Sequence, residues 1–282
     1  ADGSIKAIWI IGTNPVVSMP NANRVKAALE QCDTVIVSDC IAETDTTATA
    51  NILLPAAGWG EKSGTVTNSE RRISRQRALV SAAGEARADW WILAQVANAM
   101  GFSQGFNYQS PRDVFVEHAQ LSGCQNNGQR LFNIGALGQL SEADYDGLQP
   151  IQWPVTVDRP QGTARLFADG QFVTPTGLGR FIAISPRLPT QRKSQRKFPL
   201  ILNSGRIRDQ WHSMTRTARA ASLLDHTDQP FVAMHPDTAA AAGLQGGDLA
   251  EVSTRQGAIR LITAIDQGIK PAQLFIPIHW SD

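Results

Sequence analysis

Ala7-Ile8-Trp9-Ile10-Ile11-Gly12-Thr13-Asn14-Pro15, followed after a helical interval by Val35-Ile36-Val37-Ser38-Asp39, is the stretch that decides the fold. The first apolar run reads as a buried strand ended by Gly12-Thr13-Asn14-Pro15. Val25, Ala28 and Leu29 then recur at helical spacing, and Val35-Ile36-Val37 supplies a second strand, so the segment reads as a βαβ unit. A second helix over residues 42–50 and a buried strand at Ile52-Leu53-Leu54 extend the unit into a parallel sheet, an α/β class of fold. In such a sheet ligands sit beyond the carboxyl ends of the strands. Gly12-Thr13-Asn14 and Ser38-Asp39 therefore emerge side by side on one edge, with Asp39 able to accept hydrogen bonds from a ribose or a guanine edge. The full glycine-rich dinucleotide fingerprint is missing, and Asn14-Pro15 and Asp39 also read as an ordinary turn and a helix cap.

Around this unit the chain divides by pattern. Residues 1–57 form the Rossmann-like segment and residues 58–159 an α/β region that contributes further contacts. Within it, residues 58–77 read as a polar, glycine-containing loop with a basic run, Arg71, Arg72, Arg75 and Arg77, taken as a solvated or subunit-facing strip. Lys62 in that loop suits a phosphate or plain solvent. Asp89 is placed as the N-cap of a helix carrying Trp90, Leu93, Val96 and Met100, and Ser110-Pro111 opens another. Residues 160–197 are rich in Pro, Gly and basic residues and read as a connector. Residues 198–282 change to strands at 198–202, 248–254, 259–265 and 274–278, with a hairpin turn at 255–257 and one helix from Pro236 to Ala242 ended by Gly243. This last part is expected to be a β-barrel, double-psi-like and cut short.

The most specific local feature follows the strand at 198–202: Ser204-Gly205-Arg206-Ile207-Arg208-Asp209-Gln210-Trp211-His212-Ser213. Glycine permits tight backbone geometry, the arginines suit a pyrophosphate, Trp211 suits stacking and His212 a hydrogen bond to a ring or phosphate. Taken alone, His212 is more often a structural histidine. Arg216, just beyond, offers a guanidinium to a small oxyanion, and His279-Trp280 closes the last strand beside the same region.

Composition narrows the function classes. The chain has 282 residues, 42% hydrophobic and 18% charged, with a net charge of +1, which gives no general attraction to nucleic acid or anionic lipid. Three cysteines, Cys32, Cys40 and Cys124, lack metal-ligand or paired spacing and suit a reducing compartment. No Ser-His-Asp set, Walker loop or paired-carboxylate motif stands out. A strand-like run opens the chain and another closes it, which reads as a fragment.

In order along the chain, the 7–15 run, Val37-Ser38-Asp39, the 54–62 segment Leu-Pro-Ala-Ala-Gly-Trp-Gly-Glu-Lys, the 64–72 segment ending in Asn68-Ser69-Glu70-Arg71-Arg72, Gly84-Glu85-Ala86-Arg87-Ala88-Asp89-Trp90-Trp91 and the 204–213 loop resemble the bis-molybdopterin guanine dinucleotide oxidoreductases. Within that family, residues 68–75, 206–217 and 277–280 look closest to assimilatory nitrate reductases, with formate dehydrogenases the near alternative. The resemblance implies that Asn14, Ser38, Asp39, Lys62, Asp89 and residues 204–213 contact the molybdenum bis(molybdopterin guanine dinucleotide) cofactor. It further implies a 4Fe-4S cluster and a molybdenum ligand in a missing amino-terminal part, nitrate as substrate, an electron-donor protein and a cytoplasmic location. A cofactor-free relative serving as an electron-transfer scaffold, or a simple nucleotide-binding protein, is the reading from another class; the retained polar positions and the second loop weigh against both.

Overall fold

The computed structural model describes residues 2–186 and 197–280. Its first sheet is parallel, in the order β1 (Ala7–Ile11), β2 (Thr34–Asp39), β3 (Ile52–Pro55). Helices α1 (Pro15–Ser18) and α2 (Ala22–Glu30) connect β1 to β2. They cover the face carrying Ile10, Val35 and Val37, against which Val16 and Leu29 are buried. The alternation of the strand places Val35 and Val37 on one side and Ile36 on the other, so the apolar run of β2 serves two faces.

Two expectations change here. Residues 42–50 form no α-helix but one 3-10 turn, Thr47–Thr49. The cause lies in the threonines: Thr44 and Thr47 exchange side-chain-to-backbone bonds, with the Thr44 N–H donating to Thr47 Oγ1 at 2.7 Å and the Thr47 N–H to Thr44 Oγ1 at 3.0 Å. Such local bonds compete directly with the helical ladder. Secondly, β3 is an edge strand and not a buried one, with Ile52 and Leu53 about half exposed.

Residues 58–77 hold more structure than a polar loop. β4 (Gly64–Thr67) and β5 (Arg72–Gln76) form an antiparallel hairpin, to which β6 (Ile151–Gln152) adds a third strand. The arginines are its clamps, not a solvated strip. Arg71 takes the left-handed turn position and its guanidinium reaches the carbonyls of Trp153, Thr163 and Ala164. Arg75 lies over the Tyr145 ring and pairs with Asp146. Behind the hairpin, α4 (Pro111–Gly123) and α5 (Glu142–Asp146) bury Phe115, Ala119 and Tyr145 with Ile73, Ile134 and Val155. Asp89 is the first residue of α3 (Asp89–Ala99), whose N-cap is Ala88; its carboxylate turns to Lys62 instead of capping. Ser110 does stand at the N-cap of α4, with Pro111 in the first turn. Described residues 160–186 contain turns only, and the connector's remaining residues 187–196 lie outside the described part.

The last sheet is mixed, ordered β7 (Ile201–Gly205), β11 (Gln273–Pro277), β8 (Phe231–Met234), β10 (Ala258–Ile265), β9 (Leu249–Ser253). β8 escaped the sequence pattern, since four residues between Pro230 and Pro236 carry no readable period. Among the described residues no strand pairing joins β7 to β9, so the ladder by itself does not close the expected barrel. Beyond the short α6 (Ala221–Leu224), α7 (Pro236–Ala242) ends at Gly243 in the left-handed conformation, φ 70°, as expected for a glycine at that position. β7 begins three residues later than expected and so takes Ser204 and Gly205 into the ladder, where Gly205 pairs with Pro277. The loop that follows is thereby hung from the end of a strand.

Candidate functional site

The carboxyl ends of β1, β2 and β3 open into one cavity of about 760 Å³. Its walls are Gly12, Thr13 and Asn14 after β1, Ser38, Asp39 and Cys40 at the end of β2, and Ala56 to Trp59 after β3. Lys62 and Asp89 close one side, and Trp211, His212, Ser213, Thr215 and Arg216 come over from the loop after β7. The volume falls in the range of cavities that enclose small molecules and cofactors, ~300–1,000 Å³.

Local bonds fix most of the lining. Asn14 stands ahead of α1, its side-chain oxygen accepting from Thr46 Oγ1 at 2.6 Å. Ser38 is buried and its Oγ accepts from Trp9 Nε1 at 2.8 Å, which leaves its own O–H to donate. Asp39 Oδ1 accepts from the Ile41 N–H at 3.1 Å. Gly12 needs its residue type: φ is +60°, and a Cβ would project into open space at the mouth of the cavity. Lys62 Nζ donates to Asp89 Oδ2 at 3.0 Å, spending one of three donors.

The second wall is held differently. Arg216 packs over the Trp211 ring at 5.5 Å, and its guanidinium donates to Cys40 Sγ at 3.3 Å, tying the loop to the end of β2. Gln210, buried at 5% exposure, is a brace: Nε2 donates to Leu223 O, and Oε1 accepts from Thr217 Oγ1, whose oxygen in turn accepts from the Trp211 N–H. Arg208 grips Asp209 through two bonds of 2.9 Å, and His226 Nδ1 lies 2.7 Å from the same carboxylate. The Arg208 guanidinium holds the Asp209 carboxyl below the usual carboxylate range.

Of the residues singled out from sequence, the structure thus brings Asn14, Ser38, Asp39, Lys62, Asp89, Trp211, His212 and Ser213 around one space. Ser204 to Gln210 stay outside its lining: Ser204 and Gly205 sit in β7, Arg206 is exposed, Ile207 is half-buried, and Arg208, Asp209 and Gln210 are engaged as described. Thr215, read with Arg216 as part of a substrate funnel, joins the lining, as do Trp59 and Cys40, which the sequence reading gave no binding role.

Two separate sheets contributing to one cavity match two separate regions of known proteins. Residues 1–99 match the family model described as molybdopterin oxidoreductase, and residues 200–282 match the molybdopterin dinucleotide binding domain. The chain belongs to the molybdopterin oxidoreductase family. Among family members, the nitrate reductase of Klebsiella oxytoca is 48% identical over 99% of this chain and 32% of that protein. The F420-dependent formate dehydrogenase subunit alpha of Methanocaldococcus jannaschii is 34% identical over 98% of this chain and 39% of that protein. The fold itself is shared with acetylene hydratase from Pelobacter acetylenicus, with a TM-score of 0.67 at 20% identity, covering 96% of this chain and 37% of that one. This molybdopterin oxidoreductase chain spans about a third of the length of the curated relatives it matches. No helix among its described residues is long and apolar enough to cross a membrane.

Proposed function

We propose that this chain is the carboxy-terminal third of the catalytic subunit of a molybdenum-dependent nitrate reductase, and that its cavity holds a guanine dinucleotide arm of the molybdopterin cofactor. The observation that carries the reading is the convergence of Asp39, Lys62 and the 211–216 loop on one space from elements far apart in sequence. The residues suit such a group. Asp39 offers a carboxylate acceptor to the N–H edge of guanine, Lys62 a cation to phosphate, and Ser213, Thr215 and Arg216 further donors. When bound, the cofactor supplies the two-electron redox chemistry by which nitrate, two protons and two electrons become nitrite and water. The chain's own residues bind and orient that group and shape its surroundings; Arg216 adds a guanidinium for a small oxyanion.

Several further features belong to the same proposal. The boundaries at residues 57, 159 and 197 are supported by the order of motifs, while closure of the last sheet into a double-psi-like barrel and cofactor contacts from Ser204 to Gln210, beyond the lining of this cavity, follow from the family resemblance of residues 198–282. A 4Fe-4S cluster in a preceding part, an electron-donor protein and a cytoplasmic location follow from the family reading. Formate oxidation is the second reading, favoured by the 34% identity to a formate dehydrogenase subunit.

Purified full-length protein containing this chain, assayed with reduced viologen and nitrate and with oxidised viologen and formate, tests the substrate. Nitrite formation is expected; formate oxidation without it transfers the assignment. Acid hydrolysis should release guanine nucleotide in proportion to molybdenum, and Asp39→Ala should cut both together. Full guanine content in that variant would remove the cavity from the reading.

A further inference from the structure

His279 is the most deeply buried histidine of the chain's described residues, 2% exposed, and it does not line the cavity. It follows β11, which runs parallel to β7, so the end of one strand delivers it against the loop that leaves the other. Its Nε2 accepts from the Ile207 N–H at 3.0 Å, and its Nδ1 lies 2.7 Å from His212 O. One tautomer satisfies both: Nε2 bare toward the amide, Nδ1 protonated toward the carbonyl. The two bonds span the loop from its root to the point where it enters the cavity wall. There the backbone is costly, with His212 at φ 33° and Met214 at φ 56°, values that side-chain-bearing residues rarely adopt and that persist only when surrounding contacts impose them.

We infer that His279 is a positioning residue, a buckle that holds residues 207–212 so that Trp211, His212 and Ser213 stay in place against the bound cofactor. This rests on the cofactor reading above. Replacing the ring with one that cannot accept and donate leaves the Ile207 amide and the His212 carbonyl without these partners and lets the left-handed turn relax. Glutamine offers an oxygen and a nitrogen in a similar accept-and-donate pair, so it should rescue what phenylalanine loses.

The test uses the full-length holoenzyme in four forms: parent, His279→Phe, His279→Gln and Val232→Ala, the last a core change in β8 that lowers the melting temperature without touching the loop. Hydrogen exchange of the Ile207 amide and the rate of guanine dinucleotide release are measured. Losing two part-buried bonds predicts exchange and release faster by about tenfold or more in His279→Phe. His279→Gln should stay near the parent, and Val232→Ala should melt earlier with release near the parent. If His279→Phe does not fold, His279→Asn, too short to keep both bonds, takes its place. Unchanged Ile207 protection, or release from Val232→Ala as fast as from His279→Phe, overturns the inference. A parent that carries no guanine dinucleotide would sink the cofactor reading instead, while the exchange of Ile207 would still report on the buckle.

Discussion

Lys62 and Asp89, 27 positions apart, meet at 3.0 Å on the wall of the cavity, each about one-third exposed. An ion pair that solvent reaches contributes little to folding, ~0–1 kcal/mol, because water and salt screen it. Its consequence is therefore local: the carboxylate aims the ammonium while leaving two of its donors unused. Lys62→Met should shift the melting temperature by only a degree or two, about what such an energy gives a chain of this size. Cofactor content, measured as molybdenum per chain, should fall much more. A large thermal loss with full molybdenum would show the pair to be a structural strut.

Arg75 presents the opposite balance. Its side chain is 6% exposed, over the Tyr145 ring at 4.0 Å and bonded to Gly64 O, while its acidic partner Asp146 is 68% exposed. Removing the buried member takes away its bond to the Gly64 carbonyl and the cation over the Tyr145 face, so Arg75→Ala should cost roughly 3 kcal/mol in chemical denaturation. Asp146→Ala should cost below about 1 kcal/mol, since its charge is already solvated. Equal losses for the two variants would contradict this account.

Asp113 accepts from the backbone N–H groups of Gln109, at 2.8 Å, and Ser110, at 3.1 Å, at the start of α4. The Gln109 amide above all holds its carboxyl below the usual range, assisted by Arg112 and the Ser110 amide. A depressed folded value stabilises the fold above the unfolded pKa, near 3.8, and loses that contribution as pH falls through the folded value. Asp113→Ala should thus cost about 1 kcal/mol at pH 7. Urea titrations of parent and variant should converge as the pH drops below about 4; a gap independent of pH would locate the effect elsewhere.

Gly162 sits at φ +79° with no room for a side chain: a Cβ would lie 2.5 Å from Gln152 O and 2.9 Å from Ile151 Cγ1. Gly162→Ala should destabilise by roughly 2 kcal/mol or more, combining backbone strain with overpacking against β6. Gly101, at φ +90° but with open space around its Cβ position, should cost only the backbone part, ~1 kcal/mol, when changed to alanine. Thermal melts of the two variants should rank in that order.

Much of the βαβ unit was legible because β1 and β2 are short apolar runs punctuated by Gly12 and Asp39, and that period is a property of neighbouring residues. The start of α4 at Ser110-Pro111 and the glycine end of α7 were legible for the same reason. Residues 42–50 misled, since their threonines bond their own backbone, and β8 was too short to show a pattern. The arginines of the β4–β5 hairpin looked solvated because nothing adjacent in the chain announces Trp153, Thr163 or Tyr145 as their partners.

What the amino-acid sequence determined by itself was therefore the local grammar: strands, caps, the edge where Asn14 and Asp39 emerge, and the family to which the motifs in their order point. What only the tertiary structure decided was company. It set Ser204 and Gly205 into a ladder, sent Gln210 inward as a brace, carried Arg216 to Cys40, and brought His279 to Ile207 and His212. Those partners lie 13 to 176 positions apart, and such contacts are fixed by strand pairing and packing, about which composition and periodicity carry no information.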